Sequence, residues 1–443
     1  MTLTPDGYRH RLIEKDVSES LRAFGAVLIV GPKYCGKTWV ASDASNSAFM
    51  MGGINEYGVS NKSLAESDIC MALEGESPHM IDEWQEVPRI WDAVRSEVDA
   101  RASKGLFILT GSSTPLRKDS APVHSGTGRI RRLRMRTMSL VESGDSTGSI
   151  SLKSIMNGED IGTVKEGTSL ERLVELVIRG GWPGNLSLSF NDSANAVRGY
   201  VDSIVEDACN LDDVRRKGSL FRPVLRSLAR NESTLANLSK LQNDTGVLLN
   251  SETPILDGET IVGRPAISYN SLVDYMDVLN RLYLLDNMPA FDPHLKSSIR
   301  VGKAIKRHFT DPSLAAAILG VKKERLMKDP LTFGYLFEAL CERDLQIYAR
   351  FMDANLFHYR DGKGLEVDAI IEMEDGRWGA FEIKLGADKI DEAAANLLEF
   401  KDAMERRGAS ALPSVLCVIC GLTGYGYRRS DGVYVVPITS LGP

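Results

Sequence analysis

Ala26-Val-Leu-Ile-Val30 runs straight into Gly31-Pro-Lys-Tyr-Cys-Gly36-Lys37-Thr38, and Trp39-Val-Ala follows. Five consecutive apolar residues before a glycine predict a strand buried on both faces. The eight residues after it satisfy GxxxxGK[ST] at every fixed position, and the next residues read as a helix start. The motif requires that strand–loop–helix setting. Backbone N–H groups of such a loop converge on phosphate oxygens, and the helix N-terminus adds positive potential. Gly31, Pro32, Lys33, Tyr34, Cys35, Gly36, Lys37 and Thr38 are therefore the expected phosphate cradle. Lys37 would reach the β/γ-phosphates of ATP, and Thr38 would ligate Mg²⁺. The plain alternative is a glycine turn between a strand and a helix.

A second apolar stretch, His79-Met-Ile81, leads into Asp82-Glu83. Hydrolysis of a phosphoanhydride needs a carboxylate near the metal and another near the attacking water. Asp82 is expected to hold Mg²⁺ through water, and Glu83 to orient or deprotonate the nucleophile. Pro88, Trp91, Val94 and Val98 mark a helix beyond. His79 is a polar intruder in this strand. A third stretch, Leu106-Phe-Ile-Leu109, ends in Thr110-Gly-Ser-Ser113. Ser112 or Ser113 would bond a phosphate oxygen or the attacking water, or the segment is a polar turn. Gly128-Arg-Ile-Arg-Arg-Leu-Arg-Met-Arg136 then alternates Arg132, Arg134 and Arg136 with Leu133 and Met135. That is a strand with one guanidinium face. It reads as a solvated face, a contact to DNA phosphates, or an arginine finger reaching a neighbouring subunit's nucleotide, with Arg129 as the candidate finger.

The chain has 443 residues, enough for two or three domains. Its net charge of −7 excludes a uniformly basic surface and leaves a local basic groove open, so DNA stays open as a partner. The apolar runs are too short to span a bilayer, and the first residues lack the apolar core of a secretory signal. A cytoplasmic location is expected, with no membrane partner. Cys417 and Cys420 form a CxxC inside an apolar run with no second ligand pair, which favours a buried strand over metal or redox chemistry.

Residues 200–310 read as mostly helical. Leu220, Val224, Leu225 and Leu228 make one stripe, and Ser233 is a candidate cap for a short helix carrying Leu235, Leu238 and Leu241. Residues 243–266 read as a loop. Ser268 caps a longer helix, and 282–291 reads as a wing or return strand. Helix, turn, helix and strand make a winged-helix pattern. The helix face carrying Asn270, Asp274, Asp277 and Arg281 is not basic, so packing or dimerisation is favoured over reading DNA.

Leu365-Glu-Val-Asp368-Ala-Ile-Ile-Glu-Met373 and Arg377-Trp-Gly-Ala-Phe-Glu382-Ile-Lys384-Leu385 are alternating strands around Glu374-Asp375-Gly376. A two-residue turn would set Asp368 and Glu382 on opposite faces. A three-residue loop with Gly376 in the left-handed region pairs Met373 with Arg377 and sets Asp368 opposite Glu382. Only the second register sorts polar from apolar residues, so it is expected. Carboxylates this close need a proton or cation, and Mg²⁺ suits them. Asp368, Glu382 and Lys384 are candidate catalytic residues, with Asp368 and Glu382 as metal ligands. The alternative is a salt-bridge ladder on a hairpin.

Several of these pieces resemble prokaryotic AAA-type ATPases that carry a C-terminal domain of unknown function. The resemblance rests on the phosphate loop, Leu109-Thr-Gly-Ser-Ser113, the glycine–arginine strand entering Met138-Ser-Leu-Val-Glu-Ser-Gly144, Gly180-Gly-Trp-Pro-Gly184 and His308-Phe-Thr-Asp-Pro-Ser-Leu-Ala-Ala-Ala317. It implies ATP binding and hydrolysis. The Asp368-x13-Glu382-x-Lys384 spacing resembles the PD-(D/E)XK nuclease core. Gly334-Tyr-Leu-Phe-Glu338 resembles that fold's preceding helix, which implies Glu338 as a further metal ligand. Asp344 falls at the centre of that helix's apolar face and is expected to meet a core arginine.

The expected fold is α/β, in three parts. A P-loop NTPase (AAA-type) domain spans 1–195, a helical winged-helix-like region 196–315, and a PD-(D/E)XK nuclease-like domain 316–443. The expected function is an ATPase switch coupled to DNA processing. The second reading is an ATP-driven regulatory or interaction protein whose nuclease-like domain is structural. An arginine finger acting between subunits would require a homo-oligomer.

Overall fold

The computed structural model describes residues 3–55, 58–114, 126–210, 218–250, 267–294, 304–409 and 412–443. They pack as two compact units, residues 1–138 with 278–284, and residues 139–277 with 285–443. The division differs from boundaries at 195 and 315. Residues 139–195 pack with the C-terminal part, because their apolar helix stripes are buried there.

The first unit is built on five strands, β1 (Ala26–Val30), β2 (Ser47–Met50), β3 (His79–Asp82), β4 (Phe107–Gly111) and β5 (Ile130–Arg134). They are all parallel, in the order β2-β3-β4-β1-β5. Every residue of β1 is buried, as its unbroken apolar run requires. Its alternate side chains enter different cores. Ala26, Leu28 and Val30 pack with Ile90, Val94 and Val98 of helix Ile90–Arg101. Val27 and Ile29 pack with Val17 of helix Glu14–Ala23 and Val40 of helix Lys37–Asp43. Each fully buried aliphatic side chain here is worth about 1.5–3 kcal/mol. His79 is accommodated rather than exposed. Its Nδ1 lies 2.7 Å from Ser47 Oγ and its Nε2 3.2 Å from the Ala72 carbonyl.

Topology positions the chemistry. The strands are parallel, so their C-terminal ends share one edge, where open α/β sheets bind ligands. β4 lies between β1 and β3. The end of β4 therefore falls between the glycine loop and the acidic pair.

In the second unit, short strands β6 (Ile150–Ser151) and β7 (Val164–Lys165) precede the main series. That series is β8 (Asn355–Arg360), β9 (Glu366–Glu372), β10 (Trp378–Lys384), β11 (Val415–Cys420), β12 (Tyr425–Arg428) and β13 (Tyr434–Pro437), followed by β14 (Leu441–Gly442). Seven strands form one sheet in the order β7-β12-β13-β11-β10-β9-β8, and β14 pairs with β6. The β9–β10 hairpin adopts the three-residue loop. Met373 N donates to Arg377 O (2.8 Å), Gly376 has φ 84°, and Ala369 pairs with Phe381. One more step of that register sets Asp368 opposite Glu382. Helix Ile390–Arg406 covers one face through Ile390, Ala394, Leu397 and Phe400, against Ile370, Trp378 and Val418. β11 is buried throughout, and burial raises the Cys417 thiol's pKa, in keeping with a strand cysteine.

The Gly180-Gly-Trp and Asp311-Pro-Ser motifs meet at a buried arginine. Arg343, in helix Pro330–Phe351, bonds Asp311 Oδ2 through Nη1 (3.0 Å) and Asp344 Oδ1 through Nη2 (2.7 Å). Asp311 also accepts from Gly181 N and from Ser313 N and Oγ, and Trp182 Nε1 donates to Ser313 Oγ. Asp344 accepts from Leu140 N. The carboxylate at the centre of an apolar face is thus paired with its own neighbour in sequence.

The middle of the chain departs from its reading in three places. Helix Leu238–Asn250 runs through the first part of the expected 243–266 loop, and 251–266 lies outside the described residues. Ser233 caps no helix. It has φ 55°, its N–H bonds Arg307 O, and Thr234 bridges Arg307. Residues 285–288 form only isolated antiparallel bridges, Leu285 with Phe309 and Met288 with Lys306. Ser268 does cap its helix, accepting from Ser271 N (3.1 Å). Asn270, Asp274 and Asp277 are exposed on helix Tyr269–Arg281, but Arg281 is buried.

Candidate functional site

The glycine loop turns through two left-handed residues, Tyr34 (φ 65°) and Gly36 (φ 103°), before helix Lys37–Asp43 begins. Gly31 is held against the strand-end loop beside it. A Cβ there would stand 2.3 Å from Met135 O. Lys37 is buried and donates to Pro32 O at 2.9 Å, folded back over the loop. Thr38 Oγ1 donates to Asp82 Oδ1 at 2.8 Å. A hydroxyl and a carboxylate oxygen so placed are the hard-oxygen pair Mg²⁺ takes, so this donor set fits a Mg²⁺–nucleotide. Lys33 and Cys35 sit in the same loop, Cys35 fully buried.

Asp82 and Glu83 are fixed from β4. Thr110 Oγ1 donates to Asp82 Oδ1 (2.6 Å) and accepts from Glu83 N (3.0 Å). Ser112 Oγ donates to Glu83 Oε2 (2.7 Å), Ser112 N reaches the same oxygen (3.3 Å), and Gln85 Nε2 also donates to it. Glu83 has φ 52°, a left-handed conformation uncommon for glutamate. Backbone strain of this kind gathers at functional sites. Ser112 therefore meets Glu83, where the sequence suggested a phosphate oxygen or the water itself.

Two contributors escaped sequence reading. Thr110 is buried as the last residue but one of β4, and only the strand order brings it to Asp82. Arg11 donates to Cys35 O (2.8 Å) and Arg136 O (2.9 Å), tying the glycine loop to the end of β5. Neither has a local signal. Arg129 lies at the opposite end of the sheet from its own glycine loop, because Ile130 pairs with Ala26 and Arg134 with Val30. It is paired with Asp99 (2.9 Å). A finger at Arg129 would have to act on another subunit's nucleotide.

In the second unit, Asp368, Glu382 and Lys384 do come together. Lys384 Nζ lies 2.6 Å from Glu382 Oε2 and 3.3 Å from Asp368 Oδ2. Ile383 N donates to Asp368 Oδ2 (2.8 Å), and Asn396 Nδ2 to Glu382 Oε1 (2.6 Å). Burial, then the charge of Asp368, pushes Glu382 up to about 8. Burial also pushes Asp368 up, but Lys384 and Lys306 outweigh it and hold its pKa below the usual carboxylate value. Glu338 is nearby but engaged. Lys306 Nζ bonds its carboxylate and that of Glu342 (2.6 Å for the latter). Burial raises Glu338 to about 7. Asp368 and Glu382 are neighbours, but among the described residues they do not make, with Glu338, a trio whose ligand atoms all lie within 4.8 Å of one another. Among the described residues, the trio whose ligand atoms lie within 4.8 Å of one another is His10, Glu14 and Asp43, near the surface of the first unit. Lys306 had no signal in the sequence.

Three family models match successive parts of the chain. Residues 23–143 match an AAA domain, residues 170–325 a Domain of unknown function (DUF8612), and residues 333–441 a Domain of unknown function (DUF4143). Together with the strand order and the loop geometry, the first match makes the first unit an AAA-type P-loop ATPase-like domain. Uncharacterized proteins of Mycobacterium tuberculosis and Mycobacterium bovis are each 22% identical over 360 residues, 81% of this chain and 70% of theirs. Among solved structures, the Walker-type ATPase PABY2304 of Pyrococcus abyssi is 13% identical, covers 69% of this chain and 94% of its own, and gives a TM-score of 0.40. The RuvB Holliday junction branch migration motor of Thermotoga maritima is 16% identical, with coverages of 65% and 94% and a TM-score of 0.28. Among the described residues, no helix is long and apolar enough to cross a membrane.

Proposed function

We propose that the first unit binds ATP with Mg²⁺ and hydrolyses it. One observation supports the reading: the Thr38–Asp82 and Ser112–Glu83 contacts hold a hydroxyl–carboxylate pair and a second carboxylate at one edge of the sheet. Thr38 and Asp82 would hold Mg²⁺, which when bound offsets charge on the phosphate oxygens. Lys37 would leave Pro32 O for the β/γ-phosphates. Glu83, oriented by Ser112 and Gln85, would take the proton of the attacking water. Thr110 keeps Asp82 and Glu83 in fixed relation. Arg129 is proposed as a finger acting in a homo-oligomer. Nucleotide binding by the whole chain should be lost in Lys37→Ala. Undiminished turnover in that variant would refute the assignment.

For the second unit we propose a structural or interaction role, driven by the ATPase, over DNA cleavage. Asp368, Glu382 and Lys384 support a PD-(D/E)XK-like reading, and the winged-helix reading of the middle region would supply a DNA contact. The carboxylate spacing supports the first role, since among the described residues Asp368, Glu382 and Glu338 are not a set with ligand atoms all within 4.8 Å of one another. Lys384 and Asn396 bond Glu382, and Lys306 bonds Glu338 and Glu342. Incubation of the whole chain with linear, nicked and branched DNA, ATP, and Mg²⁺ or Mn²⁺ decides between them. Cleavage that disappears in Asp368→Ala would overturn the structural reading.

A further inference from the structure

The first unit takes in one piece of chain from beyond residue 138, the segment Val278–Leu284. It docks on the residues that follow β4. Thr114 N donates to Arg281 O (3.1 Å), and Arg281 Nε donates back to Thr114 O (2.8 Å). The Tyr283 hydroxyl lies 2.6 Å from Thr114 Oγ1. Arg132 Nη2 donates to Thr114 Oγ1 (2.7 Å) and to the Tyr283 hydroxyl. The guanidinium groups of Arg132 and Arg134 stand 5.6 and 5.9 Å from the centre of the Tyr283 ring, within cation–π range. The alternating arginines of β5 thus have a purpose inside the unit. Tyr283 itself is buried and held at φ 58°, a conformation that costs energy and persists only where its surroundings impose it.

The other end of this short run of chain is Ser112, which holds Glu83. Residues 112–114 are therefore anchored at Glu83 through Ser112, and at Arg281, Arg132 and Tyr283 through Thr114. We propose that Tyr283 is a positioning residue for ATP hydrolysis: by fixing Thr114 it fixes Ser112, and through Ser112 the carboxylate of Glu83. The proposal rests on the reading of Glu83 as the group that activates water. The hydrogen bonds and cation–π contacts of Tyr283 run to Thr114, Arg132 and Arg134. Its loss should leave nucleotide affinity alone and slow the chemical step.

The test uses the full chain, with nucleotide affinity and single-turnover hydrolysis measured separately. Loss of one net hydrogen bond from the anchor is worth about a factor of 2–12. Tyr283→Phe should lower kcat about threefold and Tyr283→Ala about tenfold, both with KM and nucleotide affinity within twofold. In a Ser112→Ala background, Tyr283→Phe should have a smaller effect than in wild type, because only the longer Ser112 N bond to Glu83 remains. Unchanged kcat in Tyr283→Phe, or effects of the two substitutions that multiply, would overturn the proposal. If Tyr283→Ala fails to fold, the Phe variant and its double mutant still decide. Wild-type and Glu83→Gln chains that hydrolyse ATP equally fast would instead refute the role of Glu83, a distinct result.

Discussion

Removing the guanidinium of Arg343 tests how the second unit is held together. Arg343→Met keeps most of the side chain's length and apolar stem while deleting the charge. Asp311 and Asp344 are both fully buried, and Arg343 serves both. Breaking a buried pair by removing one partner costs about 3–5 kcal/mol, because the other charge is left without compensation. Two carboxylates are stranded here, but each keeps backbone donors: Gly181 N and Ser313 N on Asp311, Leu140 N on Asp344. Such bonds to a charged group are worth about 1.5–3 kcal/mol each, so the losses do not double, and about 4 kcal/mol is expected. With a urea slope of about 3 kcal/mol/M, that is a fall of about 1.3 M in the unfolding midpoint. The pH dependence adds a second check. Burial already raises Asp344 above its ordinary value despite Arg343. A raised carboxylate means that the folded state binds more protons than the unfolded state, so stability falls as pH rises. Without Arg343 the rise is larger, and the deficit of the variant should shrink as pH drops from 7 towards 5. Arg343→Lys should recover part of the loss. A midpoint shift below 0.3 M (about 1 kcal/mol), or a deficit that does not change with pH, would refute the reasoning.

Glu83→Gln should bind ATP within threefold of wild type and turn it over about 10²–10⁴-fold more slowly; near-normal single-turnover rates would remove Glu83 from the mechanism. Ser112→Ala, which deletes a bond to that carboxylate, should cost about tenfold in the same assay. Burial lowers the pKa of His79, so the unfolded chain takes up the proton first. Its stabilising contribution is present above the ordinary histidine value, about 6.5, and is lost as pH falls below it. His79→Gln should flatten the decline in melting temperature between pH 7.5 and 5, and an unaltered decline would contradict this. Gly180 has φ 69°, and a Cβ there would lie 2.4 Å from Ser313 Oγ and 2.6 Å from Asp311 Oδ1, whereas at Gly184 it would meet open space. Gly180→Ala should destabilise by about 2–4 kcal/mol and Gly184→Ala by less than about 1 kcal/mol, measured by chemical denaturation; equal effects would refute the close-packing account.

Sequence by itself determined what depends on near neighbours along the chain. Val27-Leu-Ile and the glycine loop after it specify a buried strand and a phosphate cradle, because hydrogen-bonded loop geometry and apolar runs are local properties. The β9–β10 register was legible for the same reason. Side chains alternate with period two, so only one loop length sorts carboxylates from aliphatics. Tertiary structure decided which distant groups meet. The strand order sets Thr110 beside Asp82. Lys306, more than sixty residues from Asp368 in the chain, reaches Glu338 and Glu342, a pairing that no local pattern announces. The alternation of Arg132 and Arg134 was visible, but solvent, DNA or a neighbouring subunit could each have faced it. Tyr283 faces it, on a segment returned from a distant part of the chain. A charged side chain carries no local sign of its partner, and the partner's desolvation is set by whatever the fold packs around it.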